Sequence, residues 1–165
     1  MSDAVDQLIG AWRETRPDLD PTPLGIVGRV IVLAQHLEKS VASALSTHGI
    51  TLGQFDILAT LRRHGPKGGM TPTQLLGCVM LSSGGMTSRL DTLERSEWIV
   101  RRPDPNDRRG VIIELTAKGK KLIDVATATR FDEAARSLPN LSEGERKNLE
   151  SMLRDWLENY APAQK

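Results

Sequence analysis

Only two stretches of this chain carry the signature of a β-strand, and their closeness in sequence limits the folds it can adopt. Trp98-Ile99-Val100-Arg101-Arg102 and Val111-Ile112-Ile113-Glu114-Leu115 are β-rich runs. Between them lie Pro103 to Gly110, whose Pro, Asn, Asp and Gly content signals a turn. They predict one hairpin with a basic tip at Arg108 and Arg109. The remaining periodic segments read as helix. Aromatic residues make up 4% of the chain, so the core must come from Leu, Ile, Val, Ala and Met, which suits helices packed on helices and argues against an all-β fold. A length of 165 residues fits one compact unit.

The helix starts are marked by capping chemistry. Thr22-Pro23 and Thr71-Pro72 each place a hydroxyl before a proline, the arrangement of an N-cap followed by a first helical residue. Thr51 to Gln54, Thr71 to Gln74 and Ser142 to Glu145 match the capping box, in which two side chains satisfy each other's orphan amides. With Ser82 or Ser83 and Thr116 as further caps, the expected helices span 23 to 48, 52 to 64, 72 to 80, 83 to 96, 117 to 137 and 143 to 160. A short helix over Ala4 to Trp12 precedes them.

Charge is unevenly distributed along the chain. Residues 1 to 61 carry 4 basic and 7 acidic side chains, residues 62 to 121 carry 12 and 6, and residues 122 to 165 carry 6 and 8. A basic middle between acidic ends is what a phosphate-binding segment flanked by structural segments looks like. The first residues include Asp3 and Asp6 and no long apolar run, unlike a secretion signal, and no apolar segment is long enough to span a membrane. The single cysteine, Cys78, excludes an internal disulfide framework. A cytoplasmic protein is expected, with no membrane partner and no cofactor. His36, His48 and His64 lack ligand spacing, so no metal is expected, and no nucleophile with a matching base is visible, which argues against an enzyme.

Helix, short connection, helix and basic hairpin is the order of a winged helix-turn-helix, in which the second helix enters the major groove of double-stranded DNA. About three residues join the two helices, the length this motif needs. Ser82, Ser83, Gly84 and Gly85 leave small side chains where a helix N-terminus would approach a phosphate. On the second helix, Met86, Leu90 and Leu93 fall within about 60° of one another and form the core side. Gly84, Ser88, Asp91 and Arg95 fall opposite, with Thr87 between, giving a polar face suited to groove reading. Thr87, Ser88 and Arg95 are therefore candidate DNA contacts; an ordinary solvated face is the alternative. At the hairpin tip, Arg108 and Arg109 either reach a minor groove or remain solvated turn residues, and Asp107 is placed to hold the tip in shape.

Asp107-Arg108-Arg109-Gly110 followed by Leu115-Thr116-Ala117-Lys118-Gly119 resembles the wing motif of the MarR family of ligand-responsive bacterial regulators. Ser83 to Glu94 is similar to that family's recognition helix, and the resemblance spans nearly the whole chain. It implies a mainly α fold with a small β-hairpin wing in one MarR-type domain, 1 to 165. Residues 50 to 116 would form the winged helix-turn-helix DNA-binding lobe, and 1 to 48 and 117 to 165 the N- and C-terminal dimerisation helices. It also implies a homodimer on a palindromic operator, with half-sites about 10 bp apart. An apolar stripe of Leu149, Met152, Leu153, Trp156, Leu157 and Tyr160 agrees with such a dimer, unless it packs on its own subunit.

The segment from Trp12 to Pro21, leading to Gly28-Arg29, is similar to the urate-responsive (PecS- and HucR-like) branch, which has an extra N-terminal helix. That branch uses a Trp, an Asp and two Arg for its ligand, and Trp12, Asp56, Arg89 and Arg101 match them. The resemblance thus implies a repressor released by a small anionic, urate-like or phenolic effector. Burial of the helix 52 to 64 would leave Asp56 in need of a partner, and Arg89 sits about 70° from the centre of the apolar side of its helix. An anion held by Arg89, Arg101 and Trp12 would touch reading helix and wing together. The alternative is an Asp56 to Arg89 structural ion pair with Trp12 in a dimer core. Two further readings stay open: a winged-helix module that docks protein, and a redox-sensing regulator acting through Cys78, although a thiol amid Leu75, Leu76 and Val79 reads first as an inert core residue.

Overall fold

The computed structural model describes residues 2–64, 69–79, 85–105, 107 and 109–160. Its elements are α1 (Ala4–Thr15), α2 (Leu24–Ser46), α3 (Leu52–His64), α4 (Pro72–Cys78), α5 (Met86–Arg95), β1 (Ile99–Pro103), β2 (Val111–Leu115), α6 (Ala117–Ser137) and α7 (Glu143–Glu158). The chain is mainly helical with an antiparallel hairpin, as the sequence predicts. Ile99 pairs with Leu115, Arg101 with Ile113 and Pro103 with Val111. Met70 adds a bridge to the outer side of β2, exchanging both backbone hydrogen bonds with Ile113 at 3.0 and 2.8 Å.

Capping explains most helix starts. The boxes Thr71–Gln74 and Ser142–Glu145 close as expected, and Thr51 and Gln54 exchange the same bonds ahead of α3. A further box lies at Asp3, whose carboxylate accepts from the amides of Val5 and Asp6 while Asp6 accepts from the amide of Asp3. With it, α1 runs past Trp12 to Thr15. Thr22 does not cap α2. Helix α2 starts after Pro23 through bonds from Leu24 to Pro21 and from Gly25 to Thr22, and the carboxylate of Asp20 takes the Thr22 amide. These i→i+3 bonds satisfy the first turn that a threonine hydroxyl would otherwise serve. Arg29 on α2 then ties the two helices together by donating to Asp3 at 2.8 Å and to Asp6 at 2.6 Å.

The larger core cluster takes Ile57, Leu58 and Leu61 from α3, Leu75 from α4, Met86, Leu90 and Leu93 from α5, Ile99 and Ile113 from the hairpin and Ile123 from α6. A second cluster of Val41, Leu45, Ile50 and Ala126 joins α2 to α6, and Phe55, Trp98 and Leu122 pack against both. Helix α5 ends in a Schellman turn: the Trp98 amide bonds to the Leu93 carbonyl, the Glu97 amide to that of Glu94, and Glu97 sits at φ 60°.

The hairpin hands over to α6 at a tight backbone contact. The Thr116 hydroxyl caps the Gly119 amide at 3.0 Å and donates to the Glu97 carbonyl at 2.7 Å. A Cβ on Gly119 would stand 2.0 Å from the Trp98 carbonyl oxygen, so only glycine lets α6 approach the strand. Gly119→Ala is expected to cost at least about 2 kcal/mol in urea denaturation, because backbone rather than a rotatable side chain must yield.

Toward the other end of the same face of α6, the carboxylate of Glu133 is buried. It accepts from the Ser137 hydroxyl at 2.6 Å and from Arg130 at 2.8 Å, and Ser40 reaches it from α2. The Ser137 hydrogen bond, with smaller help from Ser40, Arg130 and Arg136, holds its pKa below the ordinary 4.5 against the opposing effect of burial. A carboxyl with a depressed folded-state pKa stabilises the fold above its unfolded value and loses that contribution as pH falls through the folded value. Glu133→Gln should therefore be less stable than wild type at pH 7, with the gap closing below the ordinary carboxyl range when urea midpoints are compared across pH.

Candidate nucleic-acid interface and effector residues

Helix α5 seats itself on Met86, Leu90 and Leu93, all buried, and this fixes where its other residues point. Thr87, Ser88 and Arg95 are exposed on the far side. The Arg95 guanidinium lies along the helix, 3.2 Å from the Thr92 hydroxyl, while the Thr92 hydroxyl itself donates to the Ser88 carbonyl. Gly85 precedes the helix with φ 79° and no side-chain cap. The predicted contacts Ser82 and Ser83, with Gly84, lie outside the described residues, as does Arg108 at the wing tip.

Within the described part of the tip, Asp107 accepts from the Arg109 amide at 2.9 Å, the Gly110 amide bonds to the Asp107 carbonyl and the Asp104 amide to that of Gly110. Asp107 thus shapes the turn by receiving a backbone N–H, and the side chain of Arg109 stands exposed. Thr71 and Thr73 at the start of α4 face Asp104, Asp107 and Arg109 across a polar groove of about 390 Å³.

The four residues matched to an effector do not converge within one chain. Arg89 lies half-buried over the first turn of α3, where a Cβ on Gly53 would meet its Nε at 2.9 Å. Asp56 is buried one turn further along α3. Arg101 points to the other flank of α5: its Nη2 donates to Asp91 at 2.6 Å, its Nη1 to Glu94 at 2.7 Å, and its amide to Glu94 at 3.3 Å. Asp91 and Glu94 stand about 200° and 140° around the helix from Arg89. Trp12 lines a separate cleft of about 350 Å³ with Arg16, Leu19, Asp20, Pro21 and Leu24.

Comparison with known proteins decides the family. The MarR family model matches residues 50–111. The HTH-type transcriptional regulator PecS of Dickeya dadantii is 34% identical over 149 residues, covering 90% of both chains. The chain belongs to the MarR family. Its likeness to PecS places it in the PecS branch, and it is a DNA-binding transcriptional regulator, not an enzyme. A MarR mutant from Escherichia coli, solved with operator DNA, superposes with a TM-score of 0.70 at 27% identity, covering 94% of this chain and 99% of that one. Sco3205 of Streptomyces coelicolor, solved with DNA, shares the fold, with a TM-score of 0.78 at 20% identity and coverage of 88% and 91%.

In this MarR-type chain Cys78 is exposed, against the expectation of a core thiol. Helix α4 has seven residues and buries only Leu75, so its last turn has no second layer to enter. His48 hydrogen-bonds Thr129 at 2.8 Å, and among the described residues no group of three or more His, Cys, Asp or Glu is placed to hold a metal. Among those residues, too, no helix is long and apolar enough to cross a membrane. Asp91 and Glu94 were not among the sequence-derived site residues. Their i,i+3 spacing puts both on one flank of α5, but nothing local in the sequence says that the strand carrying Arg101 packs there. The cleft of about 470 Å³ between α3 and α6, lined by Phe55, Arg62, Asp124, Arg130 and Phe131, left no local pattern to find because it arises from packing alone.

Proposed function

We propose that this regulator works as a cytoplasmic homodimeric repressor that spans a palindromic operator and leaves it when a small planar anion binds. Residues 50 to 116 serve as the DNA-binding lobe, and 1 to 48 with 117 to 165 as the dimerisation helices. The observation that carries the dimer is a large apolar surface left open by a single chain. Ile26 is 67% exposed on α2, with Val30, Leu33 and Leu37 exposed on the same face, and Leu157 near the end of α7 and Tyr160 just beyond it are 70% and 76% exposed. No residue of α7 is buried. Surfaces of this kind mark association sites, and a second copy supplies a matching face by two-fold symmetry.

Two copies would present two α5 helices and two wings, with Thr87, Ser88, Arg95 and Arg109 at base edges and phosphates, together with Ser82, Ser83 and Arg108. Light scattering should give twice the chain mass, and Leu153→Glu with Leu157→Glu should give the monomer. In mobility shifts with DNA from upstream of its own gene, wild type should prefer a palindrome, binding should weaken steeply with salt, and Arg109→Ala should bind about tenfold less tightly. Equal binding to an unrelated duplex would overturn the proposal.

The effector half rests on the resemblance at Trp12, Asp56, Arg89 and Arg101. A ligand that touches all four needs Arg101 to leave Asp91 and Glu94, and Trp12 to be brought in by a rearrangement or from the second chain. Arg89, half-buried against the helix that carries Asp56, is the cation best placed to meet a planar anion at the boundary between α3 and α5. Urate, xanthine or a simple phenolic acid should raise the melting temperature of wild type, and Arg89→Ala should lose most of that shift. Equal shifts in both proteins would remove Arg89 from the site.

A further inference from the structure

The recognition helix carries two carboxylates on a side that would approach a polyanion, where uncompensated negative charge is repelled. Asp91 lies on the outward face, about 60° from Ser88, and Glu94 about 60° beyond it toward the wing. Both are held by one side chain, since Arg101 on β1 puts Nη2 on Asp91 at 2.6 Å and Nη1 on Glu94 at 2.7 Å. The Arg101 amide adds a 3.3 Å bond to Glu94, so backbone and guanidinium of one residue grip the same carboxylate. About half of the Asp91 side chain and a third of Arg101 remain accessible.

We infer that Arg101 is a positioning residue for DNA binding, latching the wing to the recognition helix and neutralising Asp91 and Glu94 where the helix meets the phosphates. The inference rests on the reading that α5 and the wing approach one duplex together. The guanidinium is suited to this task because its planar fork serves two acids at once, whereas an ammonium is a single point charge. Two effects follow from one clamp. Geometrically, it joins α5 to β1 beyond the Schellman turn and so fixes the angle between the helix and the hairpin that reaches the neighbouring groove. Electrostatically, its loss uncovers two negative charges beside a polyanion, a penalty that salt screens. Arg101 in this role acts through the two acids and touches no base.

The test uses the full-length protein, a duplex that wild type selects from a randomised pool, and an unrelated duplex. Arg101→Gln is expected to bind the selected duplex about tenfold more weakly at low salt, with the gap narrowing as salt rises. Neutralising the acids as well, in Asp91→Asn/Glu94→Gln/Arg101→Gln, should recover the charge part of the loss and bind between the single variant and wild type, because the charges that Arg101 masked are gone while the latch is still missing. Melting curves confirm that each variant is folded at the assay temperature. If Arg101→Gln does not fold, Arg101→Lys replaces it; that variant should bind between wild type and the expected loss, and should recover when both acids are neutralised. Unchanged binding by Arg101→Gln, or a triple variant no better than the single, would overturn the clamp. Failure of wild type to select any duplex would instead sink the DNA reading on which the clamp rests.

Discussion

The carbonyl of Trp98 is the point on which the rest of the molecule turns. It accepts the Thr116 amide at 3.1 Å and lies where a Cβ on Gly119 would be 2.0 Å away. On one side of it the recognition helix has just ended in a turn that closes through Leu93 and Glu94. On the other, α6 begins under the Thr116 cap. Helix α5, the first strand of the wing and the first turn of the long helix therefore meet through backbone, with no flexible side chain between them to absorb a displacement. Packed cores and backbone contacts shift between discrete arrangements more readily than they deform continuously. Any rearrangement of α6 must be felt at the start of the wing.

The local chemistry of that junction is why so much of the fold is legible in the sequence. Thr116 and Gly119 are spaced as a cap and a close-approach residue, and Met86, Leu90 and Leu93 repeat at helical spacing, so α5, the hairpin and α6 follow from patterns within a few residues of one another. The start of α2 was harder to read. Thr22-Pro23 has the composition of a capped helix start, but Asp20 and the carbonyls of Pro21 and Thr22 satisfy the first turn instead. The box at Asp3 and Asp6 is hard to read from sequence because two closely spaced acids read as charge before they read as caps. Cys78 departs from its expected burial for a related reason. Apolar neighbours in sequence do not make a buried residue when the helix is too short to have a second buried turn.

What periodicity cannot say is which chain covers an apolar face. The stripe on α7 was visible as a stripe, and α2 as a long apolar helix, yet only the packed chain shows that Val41 and Leu45 are the buried part of α2 while Ile26 to Leu37 face outward. A buried polar contact helps to fix the register of that arrangement. Glu133 meets Ser40 across the α2–α6 contact, and a partly satisfied polar group in such a place costs more than an apolar one, so the helices are held where all its partners are in reach.

The candidate effector site was legible as residue types but not as a place. Trp12, Asp56, Arg89 and Arg101 have the chemistry to hold a planar anion, and sequence alone lets them be imagined together. Helix geometry separates them. Arg89 and Glu94 flank the buried ridge of α5 on opposite sides, one leaning on α3 at Gly53 and the other held by Arg101 from β1. Forces applied at these two flanks act on the same rigid ten-residue helix about the same apolar ridge, so they are not independent even though they lie apart. A contact that draws Arg89 toward α3 turns α5 against the hold of Arg101, and a tighter hold by Arg101 resists that turn. Helix α5 is thereby contacted on one flank by α3, which carries Asp56, and on the other by β1, so both elements bear on its orientation.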